Sequence, residues 1–117
     1  MNIAVIADDF TGANDNGALL AAKGFSSATC LGLAHWNPQE FTHCDAVCLN
    51  AESRLLPREK AWQVVYDAVS MFCKEHPALV SKRVDSTLRG NVGAEMEAAV
   101  KAMDDVKADG KTLHLMG

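Results

Sequence analysis

Three polar clusters each follow or end a short apolar run of the chain, and each combines residue types that do chemistry. Asp8 and Asp9 are adjacent carboxylates directly after an apolar run. One of them can act as a general base, a hydroxyl acceptor or an indirect metal ligand while the other caps a helix; equally, both can be turn and cap residues. Neighbours on a regular strand point to opposite faces, so the two are not expected to share one role. Asn50-Ala51-Glu52-Ser53-Arg54 is the second cluster. Arg54 reads either as a surface arginine paired to Glu52 or as an anion clamp. The third cluster, Lys82-Arg83-Val84-Asp85-Ser86-Thr87-Leu88-Arg89-Gly90-Asn91, holds three cations, a carboxylate, two hydroxyls and a glycine. Arginine takes a planar carboxylate through two parallel hydrogen bonds, lysine supplies a point charge, and Asp85 can accept from alcohol groups. That set suits a small polyhydroxy acid. The alternative is a solvated turn capped by Ser86 or Asn91.

Bringing these clusters together is the task of the elements between them. Short apolar runs at 3–7, 28–33, 46–49, 79–84 and 112–116 read as strands. A helix is expected from Thr11-Gly12 to about Lys23, with Gly24 as its stop. A second starts at Pro57 and runs to about Glu75 before Pro77, with Ala61, Val65, Ala68, Val69 and Phe72 at helical spacing. In a third, Val92, Met96, Ala99, Val100 and Met103 mark the expected core face. Residues 35–42 are polar around Asn37-Pro38 and read as a loop. The alternation predicts an α/β fold, a three-layer sandwich on a mainly parallel sheet of about four or five strands. In such sheets ligands bind beyond the carboxyl ends of the strands, and all three clusters fall there. The helix start at Thr11 offers free N–H groups to an anion, but a single glycine there makes neither a P-loop nor a dinucleotide fingerprint.

Composition narrows the function classes. At 117 residues, 49% hydrophobic and 22% charged, the chain is one globular domain rather than a disordered segment. A formal net charge of -4 and a pI near 5.4 argue against a general nucleic-acid binder. No run of about 20 apolar residues suggests a membrane span, and the N-terminus lacks the basic region of a signal peptide, so a cytoplasmic location is expected. Cys30, Cys44, Cys48 and Cys73 form no disulfide framework and read as core thiols. Cys44 and Cys48 beside His43 lack an evident fourth ligand, so no metal site is assigned. His35, His43, His76 and His114 have no consistent partners, and Trp36 and Trp62 read as packing residues.

Taken in order, Ile6-Ala7-Asp8-Asp9-Phe10-Thr11-Gly12-Ala13-Asn14-Asp15, Asn50-Ala51-Glu52-Ser53-Arg54 and the run from Lys82 through Asn91 to Val92-Gly93-Ala94-Glu95 resemble the four-carbon acid sugar kinase family, nearest its D-threonate branch. The resemblance covers about residues 1–104 and fades after Lys107. It implies an ATP-dependent kinase acting on the 4-hydroxyl of D-threonate or a relative. Residues 1–117 would be part of the N-terminal domain that holds the sugar acid, and a C-terminal nucleotide-binding domain would be absent. By the same resemblance, Asp8, Asp9, Arg54, Lys82, Arg83, Val84 and Asp85 would contact substrate. Ser86 and Arg89 belong to the same motif and are counted among the substrate-binding residues, and Asp9 and Asp85 are the catalytic candidates. Arg83 stands where the family commonly has a second lysine, which keeps the charge and changes the geometry. ATP and magnesium belong to the full-length family, and neither is expected to bind this chain tightly. A small sugar acid is the expected partner, with a homo-oligomer as a further possibility. The alternative reading is an inactive remnant that only folds or self-associates.

Overall fold

The computed structural model describes residues 1–41, 43–84 and 90–106, and the backbone of 112–116. The apolar run Ile3–Ala7 forms β1 and takes the centre of a five-stranded sheet. The others are β2 (Ser27–Cys30), β3 (Ala46–Asn50), β4 (Leu79–Arg83) and β5 (Thr112–Met116), in the order β2-β3-β1-β4-β5. Every pairing is parallel, with Ala7 opposite Asn50 and Ile6 opposite both Leu49 and Lys82. Central parallel strands are covered on both faces, which is why β1 and β3 are apolar nearly throughout.

Alternate residues feed two cores. Ala4, Ile6, Val47, Leu49 and Val80 face α3 (Arg58–Cys73) and α4 (Val92–Asp105). Val5, Ala7 and Cys48 face α1 (Phe10–Ala22), meeting Ala13 and Leu20. The three-layer α/β sandwich expected from the sequence is therefore the fold. α1 carries the chain from β1 toward β2 on one face, while α4 carries it from β4 to β5 on the other. The two connections diverge at the β1–β4 boundary, the place where an open α/β sheet leaves a crevice at its carboxyl edge.

Three local expectations need correction. β2 stops at Cys30, short of residue 33, because its ladder with β3 ends at Cys30–Leu49. Residues 35–42 are not simply loop: a 3₁₀ turn spans Leu33–His35 and a short helix, α2, spans Pro38–Phe41. Asn37-Pro38 starts that helix, with Asn37 Oδ1 accepting from Gln39 N at 3.1 Å and proline in the first helical position. Phe41 is buried and stacks on Trp36 at 5.6 Å, and Trp36 meets Phe72 edge-on at 5.1 Å, so the segment is pinned to the core by packing. The buried stripe of α4 is Ala94, Glu95, Ala98, Ala99 and Ala102, whereas Val100 is 56% exposed. Alanines let α4 lie close against its neighbours, and the larger apolar residues sit at the flanks of that contact.

Candidate functional site

The site is built where β1, β3 and β4 end. Beyond Ala7 the chain leaves the ladder, so the strict alternation of a strand no longer governs Asp8 and Asp9. Both carboxylates turn to one guanidinium. Arg54 Nε donates to Asp8 Oδ2 at 2.9 Å, Nη2 to Asp8 Oδ1 at 3.2 Å, and Nη1 lies 3.0 Å from Asp9 Oδ2. Both aspartates meet one guanidinium, contrary to the expectation of separate roles, but only Asp9 also caps α1, as one of the two was expected to do. The pairing of Arg54 with Glu52 is overturned: Glu52 instead turns back to Asn50 at a positive φ of 52°. The backbone enforces this arrangement, because Asp8 O accepts from both Ser53 N at 3.0 Å and Arg54 N at 3.2 Å. Asp8 is buried. Asp9 also caps α1, its Oδ1 accepting from Gly12 N at 2.8 Å.

Lys82, on β4, is 2% exposed. Its ammonium lies 3.1 Å from Glu95 Oε1 and donates to the carbonyl of Arg83 at 2.6 Å. Glu95 comes from the first turn of α4, is itself buried, and accepts from Ser53 Oγ at 2.9 Å. Glu95 and Ser53 fall within the quoted sequence runs, but neither is assigned a site role there. A usable signal was present: Glu95 stands in line with Ala98, Ala99 and Ala102, a lone acid in a small-residue stripe.

The side chain of Arg83 lies over the start of α1. A methyl placed on Gly12 would be 3.1 Å from its Cδ and Nε. Among the described residues no carboxylate lies within ion-pair distance of Arg83, in contrast to Arg54 and Lys82. Asp8, Lys82, Arg83, Val84 and Glu95 line a recess of about 10 Å³, the space of a single water. Gly90 takes a φ of 82° against Arg54, where a side chain would crowd the Arg54 backbone at 3.2–3.3 Å. Asn91 precedes α4 and donates to Leu56 O at 2.7 Å. The sequence-expected residues Asp85, Ser86 and Arg89 lie outside the described residues. The structure thus brings together Asp8, Asp9 and Arg54 in one cluster, and Lys82, Arg83 and Val84 around a recess that shares Asp8.

Chemically, this is a charged, hydrogen-bonding edge whose recess is also lined by Val84, Val92 and Met96. It suits a small anionic, hydroxylated ligand. Asp9 is 31% exposed at its side chain and keeps acceptor capacity beyond its two bonds. Among the described residues no three His, Cys, Asp or Glu side chains gather to hold a metal ion. None of the described helices is long and apolar enough to cross a membrane.

Comparison with known proteins points the same way. A family model described as a sugar-binding N-terminal domain matches residues 3–114, past Lys107 where the sequence reading ended the resemblance. The D-threonate kinase of Salmonella typhimurium is 47% identical over 103 residues, covering 87% of this chain and 24% of that protein. The D-erythronate kinase of Heliobacterium modesticaldum is 39% identical over 102 residues, covering 87% of this chain and 23% of that protein. The chain therefore spans about a quarter of the length of these relatives. Among solved structures, a Bordetella bronchiseptica domain of unknown function, a domain-swapped dimer with bound citrate, superposes with a TM-score of 0.81 at 30% identity. That match covers 87% of this chain and 26% of the other.

Proposed function

The chain belongs to the family of sugar-binding N-terminal domains, and from that premise we propose that it is the sugar-acid-holding part of an ATP-dependent kinase acting on the 4-hydroxyl of D-threonate or a related four-carbon acid. The observation that carries this reading is the meeting of Asp8, Asp9 and Arg54 with Lys82 and Arg83 at one edge of the sheet. A D-threonate kinase among the relatives and citrate, another small hydroxylated carboxylate, in a structural neighbour support it.

In the proposed reaction Arg83 and Arg54 supply positive charge to the ligand carboxylate, and Lys82 supplies an N–H to one of its oxygens. Asp9 accepts from the 4-hydroxyl and orients it; Asp85 is the second acceptor in this proposal. The hydroxyl oxygen then forms a bond to the γ-phosphorus of ATP as the bond to the ADP oxygen breaks, and the hydroxyl proton passes to the carboxylate. Such a transfer depends mainly on positioning and charge stabilisation. Because the chain spans about a quarter of the length of its kinase relatives, ATP and magnesium are assigned in this proposal to a further domain of the full-length kinase.

Calorimetry with D-threonate and with a neutral four-carbon sugar alcohol tests this. The acid is expected to bind more tightly by about 1.5–3 kcal/mol, the worth of charge-assisted hydrogen bonds to its carboxylate. The 117-residue chain with D-threonate and magnesium ATP is expected to release no ADP. Equal affinity for acid and alcohol would remove the carboxylate site, and sustained ADP release would overturn the division of labour between domains.

A further inference from the structure

Glu95 is a buried carboxylate that the proposed reaction does not use, and it sits directly behind a residue that the reaction does use. An ammonium has three N–H groups. Among the described residues, that of Lys82 donates to Arg83 O at 2.6 Å and forms an ion pair with Glu95 Oε1 at 3.1 Å. The hydrogen bond to Arg83 O and the ion pair with Glu95 hold the ammonium from two sides, and Lys82 lines the recess shared with Asp8. Burying an ammonium is costly unless a counter-charge accompanies it. Glu95, equally buried, is that counter-charge. Packing alone does not explain the pair, since an apolar pair of similar volume commonly serves stability as well or better. Glu95 Oε1 also accepts from Ser53 Oγ at 2.9 Å, one residue before Arg54. One carboxylate oxygen therefore ties the β4 lysine and the arginine-bearing segment after β3 to the same turn of α4.

We propose that Glu95 is a positioning residue: it holds the Lys82 ammonium so that its third N–H faces the recess beside Asp8, ready for an oxygen of the sugar acid. The ligand part of this inference rests on the function proposed above.

Two readouts test it on the 117-residue chain and its Glu95→Gln, Lys82→Met and doubly substituted forms. The first is reductive dimethylation with formaldehyde and cyanoborohydride, followed lysine by lysine by mass spectrometry. Lys82 is expected to be protected in the parent and to label at least tenfold faster in Glu95→Gln. The second is calorimetric titration with D-threonate. Glu95→Gln and Lys82→Met are each expected to weaken binding about tenfold, and the double variant to bind no more weakly than Lys82→Met alone. A carboxylate that matters only for folding would lower the melting point without that non-additivity. Ser53→Ala, a milder change, is expected to speed Lys82 labelling two- to fivefold and keeps the test decisive should Glu95→Gln fail to fold. Unchanged Lys82 labelling in the variants overturns the proposal, as does parent-like affinity in Glu95→Gln or a loss that multiplies that of Lys82→Met. A parent chain that binds no D-threonate overturns the functional reading instead, and the labelling then decides on its own whether Glu95 holds Lys82.

Discussion

Replacing Gly12 with alanine sets two effects of similar size against each other. In an ordinary helix the change stabilises by about 0.5–1 kcal/mol, because alanine loses less backbone entropy on folding. Here the new methyl would lie 2.9 Å from Asp9 Oδ1 and 3.1 Å from Cδ and Nε of Arg83. The arginine is a flexible chain and can move aside. The Asp9 carboxylate cannot turn freely, since its other oxygen lies 3.0 Å from Arg54 Nη1. Losing the cap costs about 0.5–2 kcal/mol, and disturbing a partly exposed ion pair adds up to about 1 kcal/mol. The losses outweigh the propensity gain, leaving a net destabilisation of about 1 kcal/mol, or a melting point lower by about 3–6 °C for a domain of this size. Displacing Arg83 should also weaken D-threonate binding about tenfold, far more than so small a change in stability would. Thermal unfolding followed by circular dichroism, with calorimetry on the same samples, reads both quantities. A variant that melts higher and binds as the parent does would refute the crowding argument.

Other perturbations have equally definite outcomes. Arg54→Ala should lower unfolding stability by about 2–4 kcal/mol in urea titrations, somewhat below the full cost of breaking a buried pair because Arg54 is 21% exposed; a loss under 1 kcal/mol would contradict the role given to the Asp8 pair. With a thiol reagent at pH 8, Cys44 should react first. Burial pushes the Cys48 thiol up to about 11 and raises that of Cys30, and Cys73 is also buried; several fast thiols in the folded chain would count against this core. Lys101 and Tyr66 both donate to Asp105, at 2.6 and 2.5 Å, and hold its carboxyl below the ordinary 3.8. A depressed carboxyl contributes stability above its unfolded value and loses it as pH falls through the folded one. Asp105→Asn should therefore melt below the parent at pH 6, with the gap closing as the pH falls below 3.8; a constant gap down to pH 2 would be inconsistent with the linkage.

Much of the scaffold was legible because its signals were dense. Ile3–Ala7 and Ala46–Asn50 are apolar over nearly their whole length, and Ala61, Val65, Ala68, Val69 and Phe72 repeat at helical spacing. Asn37-Pro38 misled because the same dipeptide opens both turns and helices, and the deciding term was the aromatic packing of Phe41 on Trp36. In α4 the larger side chains were assumed to face inward, whereas close approach selected the alanines. At the site, placement at strand ends indicated which segments would gather. It could not indicate which charges would pair: Arg54 with Asp8 and Asp9 is settled by backbone bonds across 46 residues, and Lys82 with Glu95 by burial.

The strand that the chain makes first waits for both of its partners. β1 lies between β3 and β4, and both partners lie far downstream in the sequence. At ordinary rates of synthesis, roughly 4–15 s separate the emergence of β1 from that of the end of β4. Until β3 has been made, Ile-Ala-Val-Ile-Ala is an apolar segment with both edges unpaired, and one edge stays open until β4 follows, a natural target for a chaperone that recognises extended chains. The aspartates that follow it acquire their guanidinium only after residue 54 has been made, so charge pairing at this edge becomes possible once β3 is in place and before β4 exists.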